Sequence, residues 1–321
     1  MKTSENSQPK FDFAEYIGTR RQLIETTLDV YLKHGQPDIL WQSMRYSLLN
    51  GGKRLRAVLC FAGAEVSSRL NSNQIAEIVL PCACAIEMVH AMSLIHDDLP
   101  ALDNDDMRRG KPTNHKVFGE AIALLAGDAL LMMANDVLIT KTPDNIDRNV
   151  LLEVVLELAR ATGATGMVGG QVYDLGFTGR LEQVKSELAI TADTSTLELI
   201  HRGKTGALIK FSLWSGGKLV GASNAELALL NRFSEILGLA FQIADDLLDV
   251  TGDIKTLGKT PGKDLAANKV TWTTLYGEEG ARMKLQQLEE EGLAALDKHG
   301  SANPSLTALK QLLQYAIHRS S

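Results

Sequence analysis

GLAFQIADDLLD, residues 238–249, decides the fold. It is rich in helix formers and has no proline, so it reads as a helix. Asp245 and Asp249 lie four apart and share one face of it, with Asp246 about 100° around the axis. Like charges at this spacing repel, and the preceding GLAFQIA is apolar enough to bury the approach. A divalent cation relieves the repulsion, and an oxygen-only donor set without His or Cys favours Mg²⁺.

A second cluster, DDLPALD at 97–103, ends another long apolar segment. Asp97 and Asp103 are six apart, which puts them on different sides of an ideal helix, so the helix must break. Pro100 supplies the break by removing a backbone donor and disfavouring helical geometry at Leu99, which lets Asp103 loop back toward the same metal. Either cluster alone has a bland alternative, an acidic surface turn. Together, each followed by a basic, glycine-containing loop (RRGK at 108–111, GKTPGK at 258–263), they imply two helix ends facing one cavity. Mg²⁺ held by few carboxylates completes its shell with water and substrate phosphates, so the ligand is expected to be a diphosphate. Lys53, Arg56, Arg108 and Arg109 are candidates to neutralise its remaining charge, Arg by bidentate forks and Lys as a point charge.

Working outward, long segments dominated by Ala, Leu, Glu and Met recur, and alternating β-branched runs are scarce, so the fold class is all-α. Helices are expected over 12–34, 38–50, 54–69, 74–98, 116–140, 147–171, 180–201, 203–218, 224–251, 270–298 and 304–318. No Pro/Gly/Ser-rich linker divides the 321 residues, so a loose polar tail at 1–10 and a single domain over 11–321 are expected, a large helical bundle around a central cavity.

The balance of 33 Lys plus Arg against 39 Asp plus Glu argues against nucleic acid. Cys60, Cys82 and Cys84 have neither metal-ligand spacing nor a disulfide framework and read as buried small hydrophobes in a reducing, cytoplasmic setting. No signal peptide and no membrane span are expected; the apolar stretch 121–139 is interrupted by Asp128, Asn135 and Asp136 and reads as a core helix.

With these residues assembled, the chain resembles the trans-prenyltransferases of the farnesyl/geranylgeranyl diphosphate synthase type. The resemblance rests on FDFAEYI (11–17), MRYSLLNGGKRLRAVLC (44–60), HAMSLIHDDLPALDNDDMRRGKPTNHKVFGE (90–120), LLAGDALL (124–131), GGQVYDL (169–175), HRGKTGALI (201–209), GLAFQIADDLLDVTGD (238–253) and LGKTPGKD (257–264). Two departures are Asn104, where many bacterial relatives have Asp, and Ala57, where Pro is common; Asn104 resembles the cyanobacterial and plant-type version.

The resemblance implies a magnesium-dependent head-to-tail condensation of isopentenyl diphosphate with dimethylallyl, geranyl or farnesyl diphosphate, three Mg²⁺ ions per site and a homodimer. It implies that Asp97, Asp103 and Asp245 hold metal with Asp98, Asp246 and Asp249 in support, that Arg108, Lys204 and Lys259 hold the allylic diphosphate, and that Lys53, Arg56, His90 and Arg109 form the isopentenyl diphosphate pocket. Thr205 and Gln242 would line the space where the allylic cation forms, and Lys269 would be a further diphosphate contact; His96 and His115 are read as structural. Met92 and Ser93, five and four residues before Asp97, are expected to floor the tail pocket, with Met88 and Val89 one turn deeper. Bacterial farnesyl synthases of the family usually place an aromatic at the fifth position, so Met92 implies a C20 product, with C15 the alternative. A terpene cyclase fits less well, because DDLLD and the Lys53, Arg56, His90 set imply a second diphosphate substrate. A non-catalytic partner subunit fits less well too, because such subunits typically lose aspartates and this chain keeps them.

Overall fold

The computed structural model describes residues 11–178, 182–187, 193–251, 271–300 and 305–319. Its helices are α1 (Phe13–Tyr31), α2 (Asp38–Leu48), α3 (Leu55–Ser67), α4 (Ser72–Asp97), α5 (Asn114–Phe118), α6 (Glu120–Lys141), α7 (Arg148–Thr162), α8 (Met167–Phe177), α9 (Glu182–Glu187), α10 (Thr194–Ile200), α11 (Ala207–Leu219), α12 (Asn224–Thr251), α13 (Trp272–Gly300) and α14 (Ser305–His318). A π-helical turn, His201–Gly206, joins α10 to α11. Among the described residues the strands are two dipeptides, β1 (Met107–Arg108) and β2 (Lys111–Pro112), paired antiparallel with Arg108 opposite Lys111. The chain is all-α, as its sequence predicts.

Helix α4 forms the axis. Asn71 and Gln74 close its start as a capping box, each side chain accepting from the other's backbone N–H. Its middle turns, Cys82 to Ile86 with Met88 and Val89, have no exposed surface, so α4 is covered on every side by neighbours including α3 and α6. Pro81 lies inside it, and the helix continues past the lost hydrogen bond, with Ile78 and Val79 packed in the core beside it. Helix α11 presses on α3 backbone to backbone, since a Cβ at Gly63 would lie 2.1 Å from the Leu213 carbonyl oxygen and one at Gly216 1.9 Å from that of Cys60.

Glycine corrects two expected helices. The segment 116–140 breaks at Gly119 (φ 85°, ψ 157°) into α5 and α6, and 147–171 stops at Thr162 and restarts after Gly166 as α8. All three cysteines are buried free thiols, with Cys82 Sγ 3.4 Å and Cys60 Sγ 3.8 Å from Ser215 Oγ. Among the described residues three helices, α4, α6 and α12, are long and apolar enough to cross a membrane by length and composition, and 78% of α4's most apolar window is buried within the bundle. For α6 the share is 39%, because Leu125, Met132 and Ile139, seven apart, face outward.

Candidate active site

Asp97 is the last residue of α4. Beyond it the Asp103 N–H donates back to the Asp97 carbonyl at 2.8 Å and the Asn104 N–H to that of Leu99 at 3.1 Å, the return across Pro100 that the sequence predicts. Asn104 takes φ 52°, a left-handed conformation that Asn tolerates better than most residues. Burial pushes the Asp97 carboxyl up to about 6, with Lys204 opposing and Asp103 adding to the shift.

Asp98 is buried against Arg108, whose Nη2 donates to Oδ1 at 2.6 Å and whose Nε lies 2.8 and 2.9 Å from the two oxygens. Burial still raises the Asp98 carboxyl. On Arg108, burial pulls the other way, but the bond to Asp98 and its charge give a net upward shift. At these distances the pair is charged, and desolvation is the cost it carries.

Lys204 and Thr205 ride on the π turn, whose extra residue widens the helix where these side chains leave it. Lys204 Nζ lies 2.7 Å from Asp174 Oδ2 on α8, and Thr205 Oγ1 donates to Gln242 Oε1 on α12 at 2.8 Å. Glycine permits this junction: a Cβ at Gly170 would lie 2.2 Å from the Lys204 nitrogen, and one at Gly203 2.9 Å from Gly170 Cα.

In the second cluster, Asp245 is the exposed member. Its Oδ1 accepts from Arg319 Nη2 at 2.7 Å; the same guanidinium donates to the Phe241 carbonyl and stacks 3.7 Å over that ring. Asp246 and Asp249 are buried. Asp246 Oδ2 accepts the Trp272 N–H at 2.8 Å, tying α12 to the start of α13, and stands 3.9 Å from His201 Nε2.

Two larger cavities flank these groups. One, of about 400 Å³, has Lys53, Arg56, His90, Arg109 and Arg319 in its wall, together with Arg54 and Glu87. The other, of about 370 Å³, has the polar residues Ser93, His96, Asp97, Gln171, Lys204 and Thr205 in its wall and is otherwise mostly apolar, with Met92, Leu102, Met167 and Leu175. Arg56 and His90 belong to both walls and are in contact, Nη1 to Nε2 3.5 Å. Burial, then Arg56 and Arg109, drive the His90 imidazole well below its usual range, so it is neutral at physiological pH. Met88 and Val89 are fully buried and lie behind the floor, outside the cavity wall. A third, small cavity of about 50 Å³ brings Asp174, Lys204, Gln242 and Asp246 together, so Lys204 borders the spaces next to both clusters.

Lys259 and Lys269 lie outside the described residues. His96 and His115 have backbone or hydroxyl partners, the Leu124 carbonyl at 3.1 Å and Thr113 Oγ1 at 3.1 Å. Sequence reasoning missed Arg54, Glu87, Gln171, Asp174 and Arg319. The motif GGQVYDL pointed to Gln171 and Asp174, whereas Arg319 carries no spacing signal. Among the described residues no three His, Cys, Asp or Glu side chains could hold a metal by themselves. The half-buried carboxyls of Asp97 and Asp103, close enough for one to raise the other, nonetheless fit Mg²⁺ of the kind that draws most of its shell from water and phosphate oxygens.

The polyprenyl synthetase profile matches residues 37–302. Among curated proteins, a dimethylallyltranstransferase of Fischerella ambigua is 47% identical over 89% of this chain and 78% of its own length. A geranylgeranyl diphosphate synthase of Cyanophora paradoxa is 42% identical over 88% of this chain and 90% of its own. Among solved structures, an FPP/GFPP synthase from Zymomonas mobilis superposes with a TM-score of 0.79 at 34% identity, covering 95% of this chain and 98% of that one.

Proposed function

The chain belongs to the polyprenyl synthetase family, and from that premise we propose that it condenses isopentenyl diphosphate head to tail with allylic diphosphates to give all-trans geranylgeranyl diphosphate. One observation carries the reading. A cationic cavity built from Lys53, Arg56, His90 and Arg109 adjoins an apolar cavity that ends at Asp97 and Lys204, which suits two diphosphates and one hydrocarbon tail.

In this reading Asp97, Asp98 and Asp103 on one side and Asp245, Asp246 and Asp249 on the other would hold three magnesium ions, which would supply the positive charge that favours departure of the allylic diphosphate. Arg108 and Lys204, with Lys259 and Lys269 from the 252–270 segment, hold that leaving group. Its C–O bond breaks, leaving an allylic cation flanked by Thr205 and Gln242. The double bond of isopentenyl diphosphate, oriented by Lys53, Arg56, His90 and Arg109, forms the new C–C bond. A proton then leaves to the departed diphosphate. Neutral His90 can orient substrate without adding charge beside the cation. The apolar wall excludes water from it.

We read the enzyme as one prenyltransferase domain over 11–321, cytoplasmic and homodimeric. The buried free thiols support a reducing compartment, and the outward Leu125, Met132 and Ile139 stripe of α6 supports pairing of two copies, which light scattering tests as twice the chain mass. For the reaction, the purified chain is incubated with isopentenyl diphosphate and dimethylallyl, geranyl or farnesyl diphosphate in turn. A C20 product from all three is expected; a product that stops at C15, or no condensation, overturns the reading.

A further inference from the structure

We propose that the buried ion pair between Arg54 and Glu87 is the positioning element of the cationic cavity, holding Lys53 and Arg56 where they meet the second diphosphate. The inference rests on the condensation reading above. Of the three cations in GGKRLR, Arg54 is the one buried in an ion pair. Its side chain is 3% exposed; Nη1 donates to Glu87 Oε2 at 3.1 Å, Nη2 to the Leu48 carbonyl at 2.7 Å, and Nε stands 3.4 Å from Glu25 Oε1. Glu87, on α4 one turn before His90, has a side chain equally buried.

The loop needs such an anchor because its backbone is unfavourable without one. Gly51 (φ 73°), Gly52 (φ 120°) and Arg54 (φ 54°) all take positive φ, and for Arg54, which has a Cβ, that conformation is disfavoured. Lys53 lies between them, and Arg56 opens the first turn of α3 just beyond. Arg109, itself at φ 52°, donates through Nη1 to the Gly51 carbonyl and packs so close to Gly52 that a Cβ there would lie 2.8 Å from it. The loop is thus fixed at one end by Arg109 and at the other by Glu87.

Charge points the same way. Burial lowers Arg109, with repulsion from Arg54 next, and burial likewise lowers Arg56; Glu87 opposes both shifts. Glu87 is the single carboxylate in the wall of a cavity crowded with cations. Removing its charge leaves the buried Arg54 guanidinium with only the partly exposed Glu25 carboxylate, 3.4 Å from Nε, so the loop loses its anchor on α4 and can relax, carrying Lys53 and Arg56 with it.

The test is a steady-state comparison of wild type, Glu87→Gln, and the double variant Arg54→Met/Glu87→Leu. Replacing a buried pair by apolar groups is often neutral for stability, so the double variant keeps the fold while lacking the anchor. In both variants KM for isopentenyl diphosphate should rise ~10-fold or more, while KM for the allylic substrate and kcat at saturation change less than ~3-fold. Wild-type enzyme that condenses nothing sinks the condensation reading itself. With active wild type, the positioning role is overturned by an unchanged isopentenyl KM in a folded variant, by parallel changes in both KM values, or by a double variant restored to wild-type kinetics.

Discussion

Replacing Met92 by phenylalanine tests the tail pocket. Met92 is 4% exposed and lines the apolar part of the cavity below Asp97, with Met88 and Val89 fully buried behind it. Methionine is unbranched and can swing aside, whereas a ring on α4 keeps its volume in the path of the tail. A fourth isoprene unit buries five carbons at about 0.8 kcal/mol each, so blocking its space removes about 4 kcal/mol of binding. The wall can also relax by overpacking at about 1–3 kcal/mol, which returns part of that loss. The smaller penalty, about 1–3 kcal/mol, governs, so extension from C15 to C20 should slow by ~5-fold to ~150-fold, while the earlier condensations, whose tails are shorter, proceed. Products are treated with phosphatase and the alcohols separated by chromatography; wild type should give C20 and Met92→Phe mainly C15. A Met92→Phe enzyme that still accumulates C20 shows that another wall limits the chain.

Arg109→Ala should mainly raise the KM for isopentenyl diphosphate, because Arg109 faces the cationic cavity, while Lys204→Ala should act more on the allylic partner. Titration of each substrate with the other saturating checks this, and reversed sensitivities would overturn the assignment. Gly170→Ala places a Cβ 2.2 Å from the Lys204 backbone nitrogen, where backbone on both sides leaves little to give. A loss of about 3 kcal/mol or more in unfolding free energy is expected, with weakened allylic binding in whatever folds, and an unchanged denaturation midpoint contradicts the packing argument.

The all-α class and the break at Pro100 were legible because each follows from local chemistry: helix propensity in the long segments, and a missing donor that turns the chain. Helix boundaries at Gly119 and Gly163–Gly166 were not, since glycine inside an apolar segment can either end a helix or permit close packing, and Gly63 and Gly216 do the second. Nor was the π turn at His201–Gly206, which depends on the backbone contact between Gly170 and Gly203. The site residues named from the sequence sit in motifs or at fixed spacing from Asp97. Those it missed include Arg54, Glu87 and Arg319, whose ion-pair partners in the cavity wall and the second cluster lie 33 and 74 residues away in sequence. The Arg108–Asp98 pair was missed for a related reason: read separately, each residue has its own ligand, and only the fold brings them to 2.6 Å.

In the mechanism proposed, the two aspartate clusters activate one leaving diphosphate together. Turnover of purified, folded Asp97→Ala and Asp245→Ala at saturating magnesium tests it directly. Each should fall by at least ~10³-fold, on the order of 4 kcal/mol of transition-state stabilisation. Near-normal product formation by either variant would contradict the account.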